Sequence, residues 1–362
     1  MTPMPLSDTA PLKSDRVHIR QHQVSSQHAA FAADHNAAPG AVADAMSKAS
    51  AAIDRRPRTY LIRHLTLYQY AAQASLSRQV LRLGPRDVLG EQTVSRRDVT
   101  IEPSPVREQP RTDAFGNPAV NVVLEASHTE LRLDCTGVVQ VDRNPVPDPN
   151  ATLAWDAVFD RVRGIVDPGD LEAMDVAFPT IFTEHNDKLT AYGELCFPAG
   201  RPILIGAIAL CTRVFEDFTY DGSATTVSTP ASVAFDRRRG VCQDFAHVML
   251  ACFRALGLPA RYVSGYLLTH PPPGKPKLRG VDASHAWVSV YVPFADGTTP
   301  SVWVDLDPTN GMIVGNEHIT AAWGRDYADV APVTGVVTGG GMQSVAVDVD
   351  VEETPSPPPA EG

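Results

Sequence analysis

The chain reads as an α+β protein: an N-terminal all-β, sandwich-like domain followed by a core of helices packed on an antiparallel sheet. Three observations predict this. Between residues 60 and 142, short runs of branched and aromatic residues recur, separated by turn-forming clusters. From about 154 to 256 the apolar residues follow helical spacing, and from 260 strand-like runs return. Helices followed by strands, and not alternating with them, point to an antiparallel sheet with its helices segregated.

Taken in order, residues 1–57 are rich in Ala, Ser, His, Gln and Asp and hold few large apolar side chains. They bury too little surface to fold and are read as a disordered N-terminal extension, with a transient helix in the Ala-rich part. Residues 58–144 form the N-terminal β domain. Its strands are expected at 60–70, 76–83, 93–102, 118–125 and 130–142, with turns at Gly84-Pro85-Arg86-Asp87 and Asp113-Ala114-Phe115-Gly116-Asn117. Asn144-Pro145-Val146-Pro147-Asp148-Pro149 is a stiff linker.

The core, 145–350, opens with helices near 154–164, 168–174 and 199–215. Thr229-Pro230 reads as a threonine N-cap with proline at the first helical position, placing a short helix over 230–237. The next helix starts at Cys242 and stops at Gly257, a good C-terminal residue. Strands follow at 260–268, 285–292 and 301–306, and a last strand near 343–351 is expected to complete the core. Residues 351–362 form a disordered acidic, Pro-rich tail.

Composition excludes some functions. With 31 Lys and Arg against 42 Asp and Glu, the net charge is −11, the opposite of the basic stripe a nucleic-acid binder needs. No apolar run reaches the length of a membrane span, so no membrane partner is expected. The N-terminus lacks the apolar core of a signal peptide, which places the chain in the cytoplasm. The five cysteines, Cys135, Cys196, Cys211, Cys242 and Cys252, have no paired spacing, so neither a disulfide framework nor a zinc site is expected. No feature suggests a metal or an organic cofactor, and the reading leaves the oligomeric state open.

The chemistry concentrates in Arg239-Gly240-Val241-Cys242-Gln243-Asp244-Phe245-Ala246-His247. A cysteine after a glycine turn, at a helix start, sits at the positive end of the macrodipole beside unpaired N–H groups, which favours the nucleophilic thiolate. Cys252 is a poor rival, lying about 15 Å further along the helix in an apolar run. Downstream stand Ser284-His285-Ala286-Trp287 and Asp305-Leu306-Asp307-Pro308-Thr309-Asn310. Cysteine, histidine and aspartate make the inventory of a thiol acyl-transfer triad: Cys242 the nucleophile, His285 the general base, an aspartate the orienter. His247 is the internal competitor, but five helical residues turn it about 140° from Cys242. His270 lies in a Pro-rich loop. Asp305 and Asp307 share one strand face, and spacing does not separate them.

The words Gly-Val-Cys-Gln-Asp-Phe-Ala-His (240–247), Gly-Leu-Pro-Ala-Arg-Tyr-Val-Ser-Gly-Tyr (257–266), His-Ala-Trp (285–287) and Asp-Pro-Thr-Asn (307–310), in this order and spacing, resemble the transglutaminase-like superfamily, a papain-related group of thiol enzymes. Residues 60–350 resemble its bacterial members with an N-terminal β domain. The resemblance selects Asp307, because the family aspartate directly precedes Pro-Thr. It implies a peptide or protein amide substrate, with the acyl group passed to water (peptidase or amidase, the favoured reading) or to an amine (transglutaminase). A binding module without activity is the reading from another class.

The backbone N–H of Cys242 is the expected first oxyanion donor; the sequence names no second. Trp287 and Tyr220 are candidates for the cleft wall or for core packing. Where the family often has a glutamate four residues after the histidine, this chain has Ser289, and the segment 294–301 is longer than usual. The Pro/Gly loop 269–284 is expected either to border the cleft or to connect passively. Arg237-Arg238-Arg239 is read as a solvated face that adds positive potential near the thiol.

Overall fold

The computed structural model describes residues 56–166, 168–270 and 284–354. The readings of 1–55, of 271–283 and of 355–362 lie outside the described residues. The N-terminal domain is a seven-stranded antiparallel sheet built around one long strand, β1 (Arg58–Leu81), with β2 (Gln92–Glu102), β3 (Arg107–Thr112), β4 (Pro118–Leu124) and β5 (His128–Val141). The sequence suggested two strands at 60–70 and 76–83. They are one, interrupted by register shifts between Gln69 and Leu76. The first half of β1 pairs with β5 and the second with β4. A strand that bends and serves both halves makes a sandwich from a single sheet. The halves close on Tyr70, Leu81, Ile101, Val122, Leu124, Leu131 and Leu133.

β3 was not foreseen. Its residues are all exposed and include Pro110, so it carries no alternating pattern, and it lies at the sheet edge where proline is tolerated.

The core domain begins with helices α1 (Trp155–Arg163), α2 (Gly169–Asp175), α3 (Asp187–Glu194) and α4 (Ile203–Asp217). The unforeseen α3 is capped by Asn186, whose side chain accepts from the N–H groups of Lys188 and Leu189. The two-residue strands β6 (Thr219–Tyr220) and β7 (Arg239–Gly240) pair in parallel around α5 (Ala231–Arg237). Pro230, not Thr229, occupies the N-cap of α5; the Thr229 hydroxyl instead accepts from Thr226 N–H within the preceding turn. α6 (Cys242–Ala255) runs through the middle of the core with twelve of its residues buried.

The remaining strands are β8 (Ala260–Leu267), β9 (Ser284–Val292), β10 (Val302–Asp307), β11 (Met312–Ile313) and β12 (His318–Gly324). They form an antiparallel sheet in the order β11-β10-β9-β8-β12. α4 and α6 pack on one face of this sheet through Phe245, Met249, Phe253, Ala286, Val288 and Val290.

After a short helix α7 (Tyr327–Val330), the chain returns to the first domain. β13 (Val333–Gly339) and β14 (Gln343–Thr354) both pair with β1. This corrects the expectation that the last strand completes the core. The edge it occupies is that of β1, and its Val349 and Val351 lie in the cluster joining the domains, with Tyr60, Ile62, Val139, Val141, Tyr266, Leu268 and Ile319. The acidic tail therefore does not begin at 351; the strand continues to Thr354.

β12 is the edge of the core sheet nearest the first domain, and two side-chain amides pair with it as a strand would. Gln92 accepts from Thr320 N–H (2.9 Å) and donates to Thr320 C=O (2.8 Å); Asn117 does the same with Trp323 (2.9 and 2.7 Å). Arg143, at the end of the first domain, donates to the Asp305 carboxylate (3.2 Å), the Thr320 hydroxyl (2.9 Å) and the His318 carbonyl (3.3 Å).

Candidate active site

The chain reaches Cys242 through a tightly specified turn. Arg238 ends α5 in the left-handed conformation, φ 53°. β7 then leads into Val241. Val241 N–H donates to the Asp244 carboxylate (2.7 Å), which also accepts from the Thr225 hydroxyl (2.6 Å). This bond from the N-cap backbone to the third helical residue is half of a capping box and fixes where α6 begins. Gly240 must lack a side chain, because a Cβ there would run into the Asp244 carboxylate. Cys242 is the first residue of α6 and is partly exposed, whereas the other four cysteines are buried. Neither Cys242 N–H nor Gln243 N–H has an acceptor among the described residues, as expected of a helix start.

His285 opens β9 and Asp307 ends β10. His285 Nε2 lies 2.7 Å from Asp307 Oδ2, and the Cys242 thiol lies close enough to the same imidazole to raise its basicity. With Nε2 occupied, Nδ1 is the nitrogen left for the sulfur. The sequence named these three residues, and the fold brings them together from a helix start and two strand ends.

Asp307 is fully buried and held on all sides. Oδ1 accepts from the backbone N–H of Thr309 (2.9 Å) and Asn310 (3.2 Å). Oδ2 accepts from the Asn310 amide (2.6 Å), from His285 and from His318 Nε2 (3.0 Å). Burial penalises this carboxylate, but the two histidines outweigh it and hold it well below the usual carboxylate range. Burial likewise opposes the charged form of His285; the Asp307 charge and hydrogen bond, with Cys242, overcome it and raise the imidazole to about 10.

His318 was missed. It lies eleven residues beyond Asp307, in a strand the sequence did not signal, and only the β8–β12 pairing brings it back to the carboxylate. It is 1 % exposed, and burial lowers its basicity, so it serves Asp307 as a neutral N–H donor. His285, Asp307 and His318 also form a cluster whose ligand atoms lie within 4.8 Å of one another. At 2.7 and 3.0 Å both imidazoles are in direct N–H···O hydrogen bonds with Asp307 Oδ2, and Oδ1 is taken by two backbone N–H groups, so the trio is built as a hydrogen-bonded unit.

The competing residues do other things. Asp305 accepts from Trp287 Nε1 (3.0 Å) and from Arg143, and does not meet His285. Trp287 is fully buried and belongs to the core, not to a cleft wall. Tyr220 is partly buried, and burial together with the Cys242 and Asp244 charges raises its phenol, which puts it beside the thiol. His247 is buried on α6, accepts from Tyr327 N–H (3.2 Å) and stacks on Phe182. His270 pairs with Glu317 at 3.0 Å. Ser289, at the position of the family glutamate, is completely buried. Of the arginine run, Arg238 lies over Phe235 (3.8 Å) and Arg239 faces Asp221 (3.8 Å).

Comparison with known proteins agrees with this architecture. Residues 201–308 match the transglutaminase-like superfamily, and residues 60–140 match the bacterial transglutaminase-like N-terminal region. An uncharacterized protein of Mycobacterium tuberculosis (strain H37Rv) is 36% identical over 299 residues, covering 82% of this chain and 92% of that protein. Another from Mycobacterium leprae is 30% identical over 290 residues, covering 80% and 96%. A protein-glutamine gamma-glutamyltransferase of Pseudomonas aeruginosa matches more locally, 33% over 109 residues, which is 28% of this chain and 15% of that one. Among solved structures, a candidate cysteine protease of Cytophaga hutchinsonii shares the fold, with TM-score 0.62 and 19% identity over 83% of this chain and 92% of its own. No helix among the described residues is long and apolar enough to cross a membrane.

Proposed function

The chain belongs to the transglutaminase-like superfamily, a family of thiol enzymes, and on that premise we propose that it is a cysteine-dependent amidase or peptidase. Cys242 is the nucleophile, His285 the general base and Asp307 the orienting carboxylate. The observation that carries this reading is the partly exposed Cys242 thiol at a helix start beside the His285 imidazole, whose Nε2 lies 2.7 Å from Asp307 Oδ2.

Asp307 holds the proton of His285 on Nε2, which leaves Nδ1 to take the thiol proton. The sulfur attacks the amide carbonyl, and the Cys242 backbone N–H donates to the developing oxyanion. His285 returns its proton to the leaving amine, giving a thioester. Water, activated by the same imidazole, then releases the free acid and the thiol.

A second reading is supported by the local similarity to a gamma-glutamyltransferase. An amine resolves the thioester in place of water, and the chain is then a transglutaminase. Mass spectrometry of a glutamine-containing peptide amide incubated with the protein, with and without a primary amine, separates the two. Free acid in both samples supports hydrolysis; an amine adduct supports transfer. No turnover, and no acyl mass on Cys242 with an activated thioester or ester, would sink both.

A further inference from the structure

A pocket of about 380 Å³ lies in the first domain, and none of its lining comes from the Cys242 site. Arg86, Arg96 and Arg97 line it with Asp87, Thr112 and Gly116. In a chain of net charge −11, three arginines against one aspartate is a local reversal of sign.

Arg86 is the informative residue. It is only 7 % exposed, yet no carboxylate lies within ion-pair distance of it among the described residues. Its Nε donates to Asp87 C=O (3.2 Å) and its Nη1 to Phe115 C=O (3.4 Å) and to the Asn117 amide oxygen. Its plane lies 3.3 Å over the Trp323 ring. Nη2 donates to nothing among the described residues and faces Gly116, where a Cβ would stand 3.4 Å away. Asp113, the nearest candidate counterion, is already paired with Arg82 at 3.0 Å.

Trp323 carries a second buried guanidinium, Arg261, at 3.9 Å, and that one also lacks a carboxylate within ion-pair distance. Burial pushes both guanidiniums down to about 10, and Arg261 adds to the lowering of Arg86. Buried charges are normally paired. Here two are stacked on one ring, and one of them aims an unoccupied N–H edge into an open pocket.

We propose that this pocket binds an oxyanion, the phosphate or carboxylate group of a small molecule, with Arg86 as its fixed anchor and Arg96, Arg97 and the Thr112 hydroxyl around it. The geometry suits the ligand: a guanidinium held on one side and stacked on an aromatic face presents its free edge to a planar or tetrahedral oxyanion. The proposal does not depend on the chemistry at Cys242.

The test is isothermal titration of the full chain with inorganic phosphate and, separately, with succinate, at constant ionic strength, beside thermal melts. Saturable 1:1 binding with a Kd below about 1 mM is expected for at least one probe, with Tm rising as ligand exceeds Kd. Phosphate alone binding identifies a phosphate-bearing ligand; succinate alone identifies a carboxylate. Arg86→Met should abolish binding. If that variant fails to fold, the exposed pair Arg96→Ala/Arg97→Ala decides, with binding expected at least ~10-fold weaker. No saturation by either probe up to about 10 mM, or affinity unchanged in the double variant, overturns the proposal and leaves an adventitious ion only.

Discussion

Two aspartates two residues apart on β10 meet different partners, and the difference predicts different losses. Asp307 takes the imidazole; Asp305 joins Trp287 to Arg143. Asp307→Asn should lower kcat about 10²–10⁴-fold with little change in KM, because an amide N–H facing Nε2 forces the wrong tautomer. Asp305→Asn should keep kcat within about threefold and lower Tm, since it weakens a charge-assisted bond remote from the thiol. Steady-state kinetics beside melting curves separate the two.

Iodoacetamide at mildly acidic pH should label Cys242 first. The other cysteines are buried, and burial pushes Cys135 up to about 12 and Cys196 up to about 11. Preferential labelling of Cys211 or Cys252 in peptide mapping would contradict the assignment. The raised His285 sets the direction of a further pH effect. Its stabilisation is complete below the ordinary 6.5 and fades as pH climbs to about 10. The Tm difference between the native protein and His285→Gln should therefore shrink between pH 7 and pH 10.

At the scale of elements, glycine and amide side chains decide what pairs with what. Gly265 of β8 lies against the Ile319 carbonyl and the Trp287 ring, with no room for a Cβ. Gly265→Ala should cost about 1–3 kcal/mol or prevent folding, the usual penalty of overpacking. Gln92 and Asn117 close the β12 edge from another domain. Gln92→Leu should cost about 1–3 kcal/mol by leaving Thr320 N–H buried without a partner, visible as a lower denaturation midpoint with an unchanged slope.

Elements with a strong period were legible: β2, β4, β5, α1, α6, β8, β9 and β10 fall within a few residues of the sequence reading. Those it missed lack a period of their own. β3 is exposed throughout, β11 is two residues long, and β12, though largely buried, reads as a mixture of His, Thr, Ala and Trp.

At the scale of the whole molecule, the chain crosses between domains twice, since β13 and β14 return to β1. Truncation after residue 342 should remove Val349 and Val351 from the inter-domain cluster, uncover the β1 edge and lower Tm in both domains together; an unchanged core transition in calorimetry would contradict this. Acid should act on both domains as well. His64 sits between them and His247 inside the core, and burial lowers them to about 4 and about 3 from the ordinary 6.5. The unfolded chain binds their protons first, so stability is full above pH 6.5 and falls as pH drops toward 4 and then 3. Tm should fall by on the order of 5–10 °C between pH 7 and pH 5. His247→Phe, which stacks on Phe182 without titrating, should reduce that fall.

By itself the sequence determined the fold class and the family, because local periodicity and short motifs with fixed spacing carry that information within a few turns of chain; it also nominated Cys242 and His285, and Asp307 over Asp305 through the family resemblance alone. Only the tertiary structure decided that β1 is one strand serving two layers, that the last strand belongs to the first domain, that His318 stands behind Asp307, and that Arg86 is left buried without a counterion. Each of these depends on residues tens to hundreds of positions apart. Such contacts are chosen by which edges, charges and apolar faces remain unsatisfied once the local elements have formed, and that choice leaves no period in the sequence.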